Sequence, residues 1–139
     1  MKKVLKLLKK NKIMTLATSS GGKPRSSIME YVMVGDTMVF MTDPKTIKAK
    51  NLAKNNRISF TVGKIPKDIM KSVYAAVDGT AEPASKAEIE GYNKELFLRY
   101  PMFKEMGEFL KTAVYFKVDI KVAYYSVGMA PAEKIKAKK

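Results

Sequence analysis

The chain of 139 residues is 46% hydrophobic and 29% charged, enough apolar material for a well-buried core and too much for a disordered chain. It holds no histidine and no cysteine, which excludes a Ser-His-Asp triad, a thiolate nucleophile, a Cys/His zinc site and histidine-ligated haem. Its formal charge of +14 raises a polyanionic partner, yet the lysines of residues 1–12 and 130–139 hold +9 of it, so the chain between carries an ordinary +5 and a nucleic-acid partner is disfavoured.

In chain order, Val4, Leu5, Leu7 and Leu8 among lysines predict an amphipathic helix over 4–10, with an apolar run too short for a signal-peptide core. No window reaches the roughly 18 apolar residues of a membrane span, so no membrane partner is expected. The lack of cysteine fits a cytoplasmic location, and the basic ends read as flexible, solubilising segments. A strand over 13–18 ends at the turn cluster Ser19–Pro24. Strands over 25–34 and 37–42 then form a hairpin about Gly35-Asp36, followed by a helix over 44–54 and a strand over 57–62.

Residues 65–71 read as a loop, and 73–81 as a strand whose Asp78-Gly79 marks a bulge or kink. Ser85, three residues before Glu88, forms a capping box that opens a helix over 85–99 with Ile89, Tyr92, Leu96 and Phe97 on its apolar face. Pro101 breaks it, a helical piece spans 102–110, a strand spans 113–127, and the end reads as frayed. The expected fold is α+β, one domain over 1–139, a small antiparallel β-barrel of about six strands flanked by helices.

Two segments carry candidate chemistry. At a strand-to-helix junction, Thr42, Lys45, Thr46 and Lys48 gather hydroxyls and ammoniums where free helix N–H groups favour an anion. The alternative reading is an ordinary helix start, with Asp43 as N-cap and Pro44 at the first helical position. In the second segment Arg25, Ser26, Ser27, Ile28 and Met29 follow a turn, so a guanidinium capable of bidentate phosphate pairing begins a strand. As neighbours in one hairpin, the two segments would line a common surface with Met29 and Met41 as its apolar floor.

These segments, with Ile13–Thr18, Asn51-Leu52, Asn56–Phe60 and Gly79–Glu82 in the same order, resemble the pyridoxamine 5′-phosphate oxidase-like FMN-binding split barrels over most of the chain. The resemblance implies an antiparallel split β-barrel homodimer that holds FMN in two clefts between subunits and acts as an oxidoreductase on a small molecule. Thr42, Thr46 and Lys48 match the phosphate side, and Arg25 to Met29 match the strand along which the ring is laid, partly through backbone contacts. The chain departs from the vitamin B6 oxidases in having no arginine after Arg99, and Ile47 stands where a second basic residue can occur. Flavin binding without turnover, and a deazaflavin in place of FMN, stand as alternatives. Haem would need a tyrosine ligand such as Tyr31 or Tyr115, although strand tyrosines more often pack with a bonded hydroxyl.

Overall fold

Gly21 and Gly22 both adopt positive φ (57° and 74°), the geometry of a two-residue hairpin turn whose twist matches that of the strands it joins. The turn aligns β1 (Ile13–Ser20) with β2 (Lys23–Glu30) in register from Ser20↔Lys23 to Ile13↔Glu30. In the computed structural model, which describes residues 1–138, these strands begin an antiparallel sheet of eight strands ordered β2-β1-β5-β6-β7-β4-β3, with β8 paired to β7. The other strands are β3 (Val32–Val34), β4 (Thr37–Thr42), β5 (Arg57–Lys64), β6 (Val73–Pro83), β7 (Val114–Val127) and β8 (Glu133–Lys136).

The sheet begins with β2 and ends with β3, strands separated in the chain by Tyr31 alone. Joining opposite edges through one residue curls the sheet into a half-barrel with a seam. The single strand expected over 25–34 is therefore two strands on opposite edges. Tertiary bonds cause the break: Tyr31 N donates to Lys12 O (3.0 Å), its hydroxyl donates to Leu8 O (2.7 Å), and Arg99 Nη1 donates to Tyr31 O (3.2 Å). Tyr31 is buried, and burial pushes its phenol pKa up.

Alternation along β1 turns Met14, Leu16 and Thr18 inward, where Met14 and Leu16 pack with Phe40, Phe60, Val62 and Val77 in the main core. The helix α1 (Lys2–Lys10) buries Val4, Leu7 and Leu8 in that core. Among the described residues both basic ends are tied to the barrel: Lys3 pairs with Glu133 (2.6 Å), Lys9 pairs with Asp36 (2.7 Å), and β8 registers with β7 from Val122↔Lys136 to Tyr125↔Glu133. This corrects both the frayed end and the flexible termini expected from charge alone.

The helix α3 (Lys86–Arg99) has the expected capping box: Ser85 Oγ accepts from Glu88 N (3.2 Å) and Glu88 Oε1 accepts from Ser85 N (2.7 Å), which holds the Glu88 carboxyl below its usual pKa. Its Tyr92 and Leu96 pack on Val32, Val39 and Tyr115 in a second cluster outside the barrel. Past Pro101 the expected single helix is a 3₁₀ turn (Pro101–Glu105) and α4 (Gly107–Thr112), separated at Met106. The β6–β7 register shifts at Asp78/Gly79, as expected, and a Cβ on Gly79 would lie 2.2 Å from Asp119 O. Among the described residues no helix is long and apolar enough to cross a membrane.

Candidate functional site

The seam offers two sets of unsatisfied groups. As an edge strand, β2 pairs on one side only, and a two-residue turn makes its flanking residues a hydrogen-bonded pair. Counting from Lys23, the residues that bond to β1 are Lys23, Arg25, Ser27 and Met29, so Ser26 and Ile28 direct their backbone N–H and C=O groups to the free edge. Side chains alternate as well. Arg25, Ser27 and Met29 share the face of Thr18, Leu16 and Met14, while Ser26 and the largely exposed Ile28 point outward. Whatever Ser26 and Ile28 contribute at the seam is therefore mainly backbone.

Across the seam, β4 ends at Thr42 and leads into α2 (Ile47–Lys54). The N-cap is Thr46, not the expected Asp43: Thr46 Oγ1 accepts from Ala49 N (3.3 Å). Asp43 sits one step earlier, its carboxylate accepting from Lys45 N (2.8 Å) and its carbonyl from Thr46 N (3.1 Å) and Thr46 Oγ1 (2.8 Å). Pro44 therefore lies in the turn, and the Asp43 carboxylate does not occupy the helix start. Thr42 and Thr46 hydroxyls meet at 3.0 Å. Because the Thr46 proton goes to Asp43 O, Thr42 donates and Thr46 accepts. The N–H groups of Ile47 and Lys48, in the first turn, have no partner within the helix.

Two asparagines to which the sequence assigns no contact hold α2 in place. Asn51 Nδ2 donates to Thr18 Oγ1 (3.1 Å), and Asn55 Nδ2 donates to Ser19 O (3.1 Å) and Oγ (3.3 Å). The signal was present as two asparagines spaced i, i+4 on one helix face, opposite a polar residue at an inward position of β1. Lys48 is one turn before Asn51, and Arg25 is the cross-strand partner of Thr18. Arg25 and Lys48 are thus linked through Thr18 and Asn51, by a cross-strand pairing, one hydrogen bond and one helix turn. Among the described residues neither has an ion-pair partner.

The structure thus brings together Thr42 and Thr46 at the start of α2, where Lys48 also lies, and sets Arg25 and Ser27 on the edge strand β2. Lys45 is exposed on the turn, and Ile47 begins the helix half in solvent. The apolar floor expected from Met29 and Met41 does not form. Met29 packs against the main core, whereas Met41, between inward-facing Phe40 and Thr42, packs in the second cluster beneath α3. Tyr31 and Tyr115 use their hydroxyls within the protein, the latter donating to Asn93 Oδ1 (2.9 Å), which leaves neither oriented as a haem ligand.

An antiparallel sheet curled into a half-barrel with an open seam, flanked by helices, defines the split-barrel fold class. The family model for pyridoxamine 5′-phosphate oxidase matches residues 1–123, and the chain belongs to this family. Solved structures repeat the fold at low identity. A haem binding protein from Mycobacterium smegmatis superposes with TM-score 0.77 at 16% identity, over 96% of this chain and 56% of that one. General stress protein 26 from Bacillus anthracis gives 0.70 at 17% identity, over 98% and 97%. An FAD-binding protein from Mesorhizobium loti gives 0.71 at 18%, over 87% and 89%. A search of curated proteins by sequence gave no match.

Proposed function

We propose that the protein binds FMN in the seam and uses it as an oxidoreductase on a small molecule. The observation that carries this reading is the donor set: a hydroxyl pair, free first-turn amides and Lys48 at one end, and the alternating N–H and C=O groups of a bare strand edge running away from it. The first set suits a phosphate dianion and the second suits the mixed donor and acceptor rim of a flavin ring. Thr42, Thr46, Lys48 and Arg25 would hold the phosphate, and Ser26 to Met29 would orient the ring. Bound FMN would supply the hydride and single-electron chemistry that a chain without histidine or cysteine lacks.

The residues' own part is positioning and charge. For Thr42 to donate to a phosphate oxygen, its proton must turn away from Thr46, exchanging a neutral hydrogen bond for a charge-assisted one worth about twice as much. Lys48 and Arg25 would also favour an anionic reduced ring through space, which raises its reduction potential. The outward face of β1, β2 and β5, with Ile13, Ile28 and Thr61 exposed, is the surface through which two copies would pair and cover the seam.

Titration of the purified chain with FMN and with riboflavin, followed by absorbance and gel filtration, tests this reading. Saturable FMN binding to a dimer, with riboflavin at least about tenfold weaker, is expected from a phosphate-directed site. No binding at tens of micromolar FMN overturns it. Tight FMN binding without turnover by any nicotinamide donor would instead support flavin storage or sensing.

A further inference from the structure

We propose that the end of the half-barrel remote from α2 docks on an anionic lipid surface. An apolar tip would enter the interface, and a lysine-lined cavity beside it would take the headgroup phosphate. This end is separated from α2 by the length of β5, whose Arg57 follows the helix and whose Lys64 enters the tip, a span of roughly 23 Å at strand spacing.

Two loops build the tip, residues 65–72 between β5 and β6 and residues 128–132 between β7 and β8. They are held together where Val73 pairs with Val127 and Gly128 N donates to Ser72 O (2.8 Å). Gly128 (φ 56°) also approaches Met70 so closely that a Cβ would lie 2.8 Å from its carbonyl oxygen. Ile65, Ile69, Met70, Val127 and Met129 project here, with 49% to 70% of each left in solvent. The first loop is nevertheless well bonded. Asp68 accepts from Met70 N (3.1 Å), Lys71 N donates to Asp68 O (2.9 Å), and Ser72 Oγ donates to Ile69 O (2.8 Å). A loop already ordered, with its apolar side chains held outside, loses little entropy when an apolar phase covers them.

Charge identifies that phase. A cavity of about 350 Å³ beside the tip is lined by Lys10, Lys64 and Lys71 together with Leu7, Asn11 and Pro66, and no acidic side chain reaches it. Lys67 lies on the same loop, whose one carboxylate, Asp68, caps the turn, and Glu133, which follows the second loop, is paired with Lys3. Elsewhere on α1, Lys3 and Lys9 are neutralised by Glu133 and Asp36, but Lys10 has no such partner among the described residues. Exposed isoleucine and methionine ringed by unpaired lysines match an interface with hydrocarbon beneath and phosphates above. Nucleic acid would gain little from these aliphatic side chains, because its affinity comes from cations on phosphates and, for single strands, from aromatic stacking. A second copy in two-fold contact here would set the same lysines against themselves.

The experiment is co-sedimentation of the full chain with phosphatidylcholine vesicles, with and without phosphatidylglycerol. Binding is expected only to the anionic vesicles and should weaken as salt shortens the Debye length. The exposed-tip variant Met70→Asp/Met129→Asp and the cavity variant Lys64→Glu/Lys71→Glu should each lower partitioning by about tenfold or more. The charge-matched control Lys94→Glu/Lys104→Glu, on the helical side, should change it by less than about twofold. Circular dichroism and gel filtration establish that all three keep the wild-type fold. The proposal is overturned if anionic vesicles fail to sediment the protein, if neutral vesicles do so equally, if the tip variant binds unchanged, or if the control loses as much as the cavity variant.

Discussion

Replacing Thr46 by alanine isolates the contacts that shape the phosphate end of the seam. The substitution removes the N-cap bond to Ala49 N and the acceptor for the Thr42 hydroxyl, while Asp43 O keeps its bond from Thr46 N. Loss of the cap costs about 1 kcal/mol, and Thr42, only 7% exposed, adds about 1 to 2 kcal/mol when its hydroxyl is left without a partner. The sum, about 2 to 3 kcal/mol, should lower the urea midpoint by about 1 M or more. Thr46→Ser keeps both bonds and should remain within about 0.5 kcal/mol of wild type. In the pair Thr42→Val and Thr46→Ala, the double variant leaves no orphaned hydroxyl, so its cost should fall short of the sum of the singles by about 1 kcal/mol. Additive costs, or a Thr46→Ala penalty below about 0.5 kcal/mol, would refute the hydrogen-bond assignment on which the site is built.

Lys48→Ala should weaken FMN binding by about 1.5 to 3 kcal/mol and leave riboflavin binding unchanged, as read by fluorescence quenching; equal losses for both ligands would remove Lys48 from the phosphate. Gly79→Ala drives a Cβ toward Asp119 O, and since both partners are backbone the strands must move apart, at a cost of about 2 kcal/mol or more in urea denaturation. Burial raises the phenol pKa of Tyr31, so the folded chain keeps its proton where an unfolded tyrosine, near pH 10, has lost it. The contribution is therefore complete below about pH 10 and declines as pH rises beyond it, and Tyr31→Phe should flatten that decline above about pH 10. An identical alkaline slope in both proteins would show that burial of the phenol is not its origin.

Local signals placed much of this architecture. Alternation along Ile13–Thr18, the Gly21-Gly22 turn, the Ser85–Glu88 box and the Asp78-Gly79 irregularity each act within a few residues, and each appears where the sequence puts it. Features set by distant partners were not legible. Arg25 to Val34 reads as one strand because nothing local at Tyr31 forbids continuation; the break depends on Lys12, Leu8 and Arg99. With that break missed, Met29 and Met41 were expected to share a face that lies on opposite sides of the sheet. Residues 133–136 carry one inward apolar side chain, Ile135, and become a strand only because β7 offers an edge. Asp43-Pro44 is a sound helix start by local rules, but the Thr42–Thr46 contact moves the cap three residues on.

The pairing of β7 bears on how the chain assembles as it is made. Along one edge β7 takes β6, and along the other it takes β4 over Val114–Lys117 and β8 over Val122–Tyr125. Until residue 114 emerges from the ribosome, β1, β2, β5 and β6 can join into one sheet, but the β3–β4 hairpin has no strand to add to. Without β7, the hairpin is joined to the rest of the sheet by no strand pairing, and the edge of β4 that carries Val39 and Phe40 is left unpaired. A stop just before residue 114 should therefore yield an aggregating product rather than a smaller folded one.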